Sequence, residues 1–387
     1  MDDTAAIKYW IALKWVDSLG NIGIKSLLEA FSTPRSVFEA PRHMLSAVPG
    51  IGKTISEGIK SFNAWSQVDR EIELAYRHGV SVITCQDPLF PQYLRNIYDC
   101  PTYLYVKGSL CPDDVNLALV GSRRASAYGR YATEKLSREL SLKGVTVVSG
   151  MARGIDTAAH KGALAVRGRT IAVLGSGIDV VYPPENKDLY DAVAENGAVV
   201  SEFPFGTPPN APNFPARNRI ISGMSLGVVV VEASDKSGSL ITARIALEQG
   251  REVFAIPGSI DSPGSRGTHQ LIKQGATLAE GIDDILPVIL PQVTPVPLEI
   301  APATVRKTGT VAPQNRQSHL DIPGEKNLNT EEAIIINLIS NKPVHIDTII
   351  QSSQLKSADV MRTLLTLELH GLIRQMPGKM YVREEGT

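Results

Sequence analysis

At 387 residues the chain is too long for one ordinary core, and roughly two to four domains are expected. Its 43% apolar and 20% charged residues describe a globular chain and exclude a disordered one, while the net charge of −1 excludes whole-chain attraction to a polyanion, so any nucleic-acid site must be local. A run of about 18 apolar residues is lacking, and the acidic start Met1-Asp2-Asp3-Thr4 has no basic leader region, so neither a membrane span nor a secretory signal is expected and a cytoplasmic location is.

Residues 1–80 contain two related pieces, Leu19-Gly20-Asn21-Ile22-Gly23 and Val48-Pro49-Gly50-Ile51-Gly52. Helix-like patterns follow each, at 24–31 and 53–62. Gly-x-Gly between helices permits a tight hairpin and bares backbone N–H groups at the next helix start. The second piece, with Lys53, resembles the helix-hairpin-helix motif of DNA-binding proteins. A packing module without DNA contact is the competing reading, because Lys53 and Lys60 supply little charge.

A short helix is expected over 71–79, then a strand at Val80-Ser81-Val82-Ile83-Thr84, a turn at Asp87-Pro88, and a strand at Tyr103-Leu104-Tyr105-Val106. These strands are read as extending the central sheet. Tyr93, Tyr98, Tyr103 and Tyr105 can stack on bases or pack in a core. The three cysteines, Cys85, Cys100 and Cys111, lack metal-type spacing and read as buried or idle thiols.

From 116 to 258 short β-branched runs alternate with helix-like segments. The runs are Leu117–Val120, Val147-Val148, Ile171–Leu174, Val228–Val231 and Val253–Ile256, most of them followed by Gly or Ser. That rhythm predicts an α/β fold with a parallel sheet covered on both faces. Ligands of such sheets bind outside the carboxyl ends of the strands. The dinucleotide fingerprint Gly-x-Gly-x-x-Gly is absent, since Gly175-Ser176-Gly177 lacks its third glycine, and there is no Walker A sequence. No cofactor and no metal are expected.

Four groups gather at the expected strand ends. Gly121, Ser122 and Arg123 form a small basic turn before a helix over 128–143, where the helix N-terminus and the Arg fork favour a phosphate. Ser149, Gly150 and Arg153 open a second turn. Asp156 and His160 there are four residues apart, the spacing of an acid–His pair, but no nucleophile is coupled to them; the competing reading has Asp156 serving the first helical turn and His160 as a local partner or core residue. Phe214, Arg217, Asn218 and Arg219 form the densest cluster: the arginines suit phosphates, Asn218 suits a base edge or loop orientation, and Phe214 suits stacking. Pairing of the arginines with Glu202 or Glu232 is the competing reading. Ser237, Gly238, Ser239 and Thr242 make another anion-receptive turn at a helix start. Together these suggest a groove for a chain of phosphates rather than for one nucleotide.

Seven prolines between Pro287 and Pro323 mark a linker. Asn329-Thr330-Glu331-Glu332 resembles a helix cap, two further helices are expected near 345–350 and from 357, and Ile373 to Val382 reads as a hairpin around Pro377-Gly378. Three helices and a hairpin suggest a winged helix. Its candidate recognition helix carries Arg362 beside Asp359 and Glu368, so protein contact and DNA reading stay open.

The ordered motifs resemble the DNA-processing protein A family, DprA, also called Smf. They include Gly121-Ser122-Arg123, Ser149-Gly150-Met151-Ala152-Arg153-Gly154-Ile155-Asp156, Tyr182-Pro183-Pro184-Glu185-Asn186, Phe214-Pro215-Ala216-Arg217-Asn218-Arg219 and Ser237-Gly238-Ser239-Leu240-Ile241-Thr242. The resemblance implies an extended Rossmann-like domain over 81–286, after a helical helix-hairpin-helix (SAM-like) domain over 1–80 and before a linker over 287–328 and a winged-helix-like domain over 329–387. It implies a non-enzymatic protein that binds single-stranded DNA, shields incoming transforming DNA and loads the RecA recombinase, with single-stranded DNA-binding protein as a further partner. Arg123 is then a phosphate contact and Phe214 a base or backbone contact; Ala211 stands where some members have Lys. It also implies a homodimer through residues 268–278. The alternative is a Rossmann-like hydrolase of nucleoside monophosphates, with Asp156, His160, Glu202 or Glu232 as acids or bases, although that family's Gly-Gly-x-Gly-Thr signature is missing.

Overall fold

The computed structural model describes residues 2–290 and, toward the C-terminus, 335–336, 338–339, 344–353, 360, 363–364, 366–367, 372–376 and 380–383. The chain divides into two compact units, Met1–Leu298 and Glu299–Thr387.

The first unit begins with helices α1 (Asp2–Lys14), α2 (Asn21–Phe31), α3 (Pro34–Glu39), α4 (Arg42–Ser46), α5 (Lys53–Lys60) and α6 (Trp65–Arg77). The turn between α4 and α5 is the expected Gly-x-Gly hairpin: Gly50 has φ 81°, and the Ile51 amide donates to the Val48 carbonyl at 3.0 Å. Helix α6 starts six residues before the expected 71, because Trp65 is held edge-on to Phe62 and Tyr9 in an aromatic cluster. These helices do not stand alone. Trp10, Ile11 and Val68 share a core with Tyr103, Tyr105 and Ile178.

A nine-stranded sheet follows: β1 (Ser81–Thr84), then helix α7 (Gln92–Arg95), β2 (Tyr103–Gly108), β3 (Val115–Val120), α8 (Ala127–Leu142), β4 (Val145–Ser149), α9 (Ile155–Leu164), β5 (Thr170–Val173), α10 (Lys187–Glu195), β6 (Gly197–Ser201), α11 (Asn213–Gly223), β7 (Gly227–Val230), α12 (Gly238–Glu248), β8 (Glu252–Ala255), α13 (Arg266–Lys273), β9 (Thr277–Leu278) and α14 (Leu286–Ile289). The order is β1-β2-β6-β5-β4-β3-β7-β8-β9. The parallel expectation holds from β6 across to β9. It needs correcting at one edge, where β2 pairs antiparallel with β6 and β1 with β2. Edge strands paired this way need no crossover helix.

Strands β4 to β7 are buried along their whole length, which is why they are rich in small and β-branched residues. Alternate residues serve opposite faces. Ala118 and Val120 join Ile220, Ile221 and Ala243 on one face, while Leu117 and Leu119 join Leu136, Leu140 and Ile155 on the other. The chain turns back at β3, whose neighbours are β4 on one side and β7 on the other. The crevice between the carboxyl ends of β3 and β7 is therefore the topological switch point of the sheet.

Residues 213–223, read as a possible loop, form helix α11. Pro212 and Pro215 do not prevent this, since proline is tolerated in a first turn. Tyr103 and Tyr105 are core residues, whereas Tyr98 is 77% exposed. In the dimer segment expected over 268–278, Thr268 and Leu271 are buried in this chain. Among the described residues no helix is long and apolar enough to cross a membrane.

The second unit has a three-stranded antiparallel sheet, ordered β10 (Val344–His345), β12 (Met380–Arg383), β11 (Ile373–Met376), beside helix α15 (Ile346–Ser353). Ile335, Ile339, Ile349, Val360, Leu364 and Tyr381 form its core. The expected hairpin strands are thus present, and His345, expected in a helix, ends a strand instead. The proline-rich stretch from 291, the cap at 329–332, Asp359, Arg362, Glu368 and the Pro377-Gly378 turn lie outside the described residues.

Candidate functional site

A cavity of about 450 Å³ opens at the switch point. Four loops and helix starts supply its walls: Gly121, Ser122 and Arg123 after β3, Ala152 and Asp156 at the start of α9, Phe214, Arg217 and Asn218 on α11, and Ser237, Gly238, Ser239 and Thr242 at the start of α12. Ten of the fourteen residues singled out from sequence meet here. The structure places the others elsewhere. Ser149 is fully buried and donates to the Leu119 carbonyl at 2.6 Å. Gly150 lies behind the wall, as described below. Arg153 is on the surface in an ion pair with Glu185. Arg219 sits on the far side of α11, paired with Glu202.

Phe214 organises the cavity. The Arg123 guanidinium lies 4.7 Å from its ring centroid and that of Arg217 5.9 Å. Tyr182 packs against the same ring at 6.1 Å. Arg123 is exposed and makes no ion pair among the described residues, so its charge faces the opening. Two cations beside one aromatic ring repel each other and gain from an anion placed near both.

Arg217 is the inner wall, at 4% exposure. It donates to the Val173 carbonyl at the end of β5, and its Nε has no hydrogen-bond partner. Gly150 lets it in: a Cβ there would lie 2.3 Å from Arg217 Nη1 and 2.3 Å from Asp156 Oδ2. Burial pushes the Asp156 carboxyl up, and the Arg217 charge beside it works against that shift. Burial likewise pulls Arg217 down, with Asp156 opposing. Gly150→Ala should cost about 1–3 kcal/mol, because making room for the methyl takes Arg217 off the Val173 carbonyl and away from Asp156. Chemical denaturation would measure it, and an unchanged midpoint would mean that Arg217 retracts freely.

The loops are locked together. The Ile155 amide donates to the Ser122 carbonyl at 3.2 Å, across Gly154 with φ 78°. A Cβ at Gly154 would stand 2.2 Å from that carbonyl oxygen. On α12, the Ser237 hydroxyl accepts from the Ser239 amide at 3.4 Å as an N-cap and the Leu240 amide donates to the Ser237 carbonyl at 3.1 Å, and this capped turn lines the cavity with Ser237, Gly238 and Ser239.

The start of α8 corrects the expectation that a phosphate would rest there. Glu232, just past β7, already fills it: its carboxylate accepts from the Ser126 amide at 2.9 Å and from the Ser126 hydroxyl. Gly129 has no side chain where a Cβ would lie 2.4 Å from that carboxylate. The protein's own acid occupies the anion seat of the first crossover helix, whereas the start of α12 carries no acidic residue in its first turn and lines the cavity. Sequence reading missed this cap because its partners are 106 residues apart.

Asp156 and His160 do not form an acid–His pair. His160 is fully buried, with Nε2 at 2.6 Å from the Gly150 carbonyl and Nδ1 at 2.7 Å from the Thr170 hydroxyl. Asp156 instead accepts from the Ala152 amide at 3.3 Å at the cavity wall. Glu202 and Glu232 are likewise engaged with Arg219 and Ser126. Among the described residues no group of three His, Cys, Asp or Glu side chains is placed to hold a metal. Cys111 is exposed rather than buried; Cys85 and Cys100 are half-buried, and burial pushes the Cys100 thiol up to about 12.

Fold and site define a class: a doubly covered α/β sheet that offers a cationic, aromatic-floored crevice at its switch point. The model of the family described as DNA recombination-mediator protein A matches residues 81–289, and that of the DprA winged helix domain matches 323–379. Protein Smf of Synechocystis sp. is 34% identical over 97% of this chain and 98% of its own. The chain belongs to the DNA recombination-mediator protein A (DprA/Smf) family. Among solved structures, DNA processing protein A of Streptococcus pneumoniae matches with a TM-score of 0.63 and 37% identity, over 73% of this chain and 98% of that one. The Helicobacter pylori DNA processing protein A, described with a single-stranded DNA binding mode, matches with a TM-score of 0.50 and 29% identity, over 56% of this chain and 99% of that one.

Proposed function

We propose that this chain is a cytoplasmic, non-catalytic binder of single-stranded DNA that processes incoming DNA in transformation and passes it to RecA. The observation that carries the reading is the Arg123–Phe214–Arg217 stack at the switch point, opposite the start of α12. An aromatic floor takes an unpaired base, which a duplex keeps stacked, and the cations take the flanking phosphates. Gly121, Ser122, Asn218, Ser237, Gly238, Ser239 and Thr242 complete the wall with small or polar groups that let a backbone approach. The family membership supports the processing role. The homodimer through 268–278 and the contacts with RecA and single-stranded DNA-binding protein rest on the family resemblance alone.

A gel-shift titration of single-stranded against double-stranded DNA at several salt concentrations tests this. Preference for the single strand, with affinity falling steeply as salt rises, is the expected result. Equal affinity for duplex, or release of free base from nucleoside monophosphates by the purified protein, would reject it.

A further inference from the structure

Helix α11 has two working faces. Phe214, Arg217 and Asn218 line the cavity. Arg219 follows Arg217 by two residues, about 200° around a helix, and so faces the other way. There its guanidinium is enclosed. Nη2 donates to the Glu202 carboxylate, Nη1 donates to the Asp99 carbonyl at 2.7 Å, and Nε lies 3.3 Å from the Asp99 carboxylate. Glu202, just past β6, is itself 9% exposed. Its other oxygen accepts from Lys14 Nζ at 3.0 Å and from Asn21 Nδ2 at 2.9 Å. Lys14 ends α1 and Asn21 begins α2. One buried carboxylate therefore ties the first two helices of the chain to the helix that carries the cavity's floor.

We propose that Arg219 is a positioning residue, which holds α11 through Glu202, Lys14 and Asn21 and so sets the affinity of the cavity for single-stranded DNA without touching it. The proposal rests on the binding function proposed above. Each guanidinium nitrogen has a partner within the chain, and the charge is met by the Glu202 and Asp99 carboxylates rather than left for a phosphate. At its start α11 has no side-chain cap and is tied to its own preceding turn, through Asn213 to the Asn210 and Pro208 carbonyls. Burial opposes the Glu202 charge, but Arg219 and Lys14 outweigh it and hold the carboxyl below its usual range.

A double-mutant cycle read with a labelled oligo-dT strand tests the role. Breaking one partner of a buried pair strands the other, whereas replacing both with apolar groups of similar size is often tolerated. R219M and E202M should each weaken binding about 10-fold, and the double variant should recover most of that loss. Its salt dependence should match the wild type. If Arg219 meets a phosphate, the double variant stays as weak as R219M and its salt slope falls by about one contact. K14M, altered at the far end of the network, should also weaken binding in a protein that melts like a folded one; unchanged affinity there overturns the proposal even if R219M does not fold. Lack of binding by the wild type would sink the binding function itself, while binding with uncoupled losses would sink only the positioning role.

Discussion

Replacing Arg123 and Phe214 together with alanine should lower single-stranded DNA affinity by about 100-fold or more while leaving the fold intact. The estimate joins about 1–3 kcal/mol for a base stacked on an aromatic ring and about 1.5–3 kcal/mol for a charge-assisted hydrogen bond. The fold should survive because neither side chain is part of the main core. Arg123 is exposed, and Phe214 is half-buried against Gly175 and Tyr182 at the surface. The single variants should differ in kind. Arg123→Ala removes one phosphate contact and should reduce the salt slope by about one, whereas Phe214→Ala should weaken binding with the slope nearly unchanged. Unaltered affinity in the double variant, with an unaltered melting temperature, would remove the cavity from the binding function.

The second large effect is on stability and concerns acid. His160 is fully enclosed, and burial brings its pKa down from 6.5 to about 4. The folded value lies below the unfolded one, so the unfolded chain binds the proton more readily. The contribution is complete above about pH 6.5 and is lost as pH falls through about 4. A difference of this size corresponds to about 3 kcal/mol, a large share of the roughly 5–15 kcal/mol that holds a domain folded. The loss also reaches the site, because the His160 ring holds the Gly150 carbonyl, and Gly150 backs Arg217 and Asp156. Melting temperatures taken from pH 7 to pH 4 should fall more steeply for the wild type than for His160→Gln. Parallel profiles would assign the acid sensitivity to other groups.

How much of this was legible in the sequence follows from burial and helix geometry. Strands covered on both faces are largely apolar, so β3, β4, β5, β7 and β8 stood out as runs, most of them ending in Gly or Ser, while β6, with only Ala198, Val199 and Val200 between Gly197 and Ser201, did not. The switch point follows from strand order, which a single chain does not display; β3 lies beside β7 only because pairing skips β4, β5 and β6 to the other side. Arg217 and Arg219 looked equivalent while residues 213–223 had no element assigned to them. As a helix, the segment sends them to opposite sides, one to Asp156 and Val173 and the other to Glu202 and Asp99. Glu232 showed as an acid for chemistry or a partner for the arginines, and Asp156 as an acid for chemistry or for its own first helical turn. Their roles as a helix cap and a cavity wall depend on contacts made by the folded chain. The antiparallel edge was equally hidden, since β1 and β2 carry no pattern that distinguishes antiparallel from parallel pairing.

The most direct test of where the strand lies is ultraviolet cross-linking of oligo-dT to the intact protein, with the modified peptide identified by mass spectrometry. A nucleotide adduct on Phe214, lost when competing oligo-dT is added in excess, is the result expected for binding at the switch point. Adducts confined to the exposed Tyr98 or to the C-terminal unit, with none on residues 213–218, would contradict it.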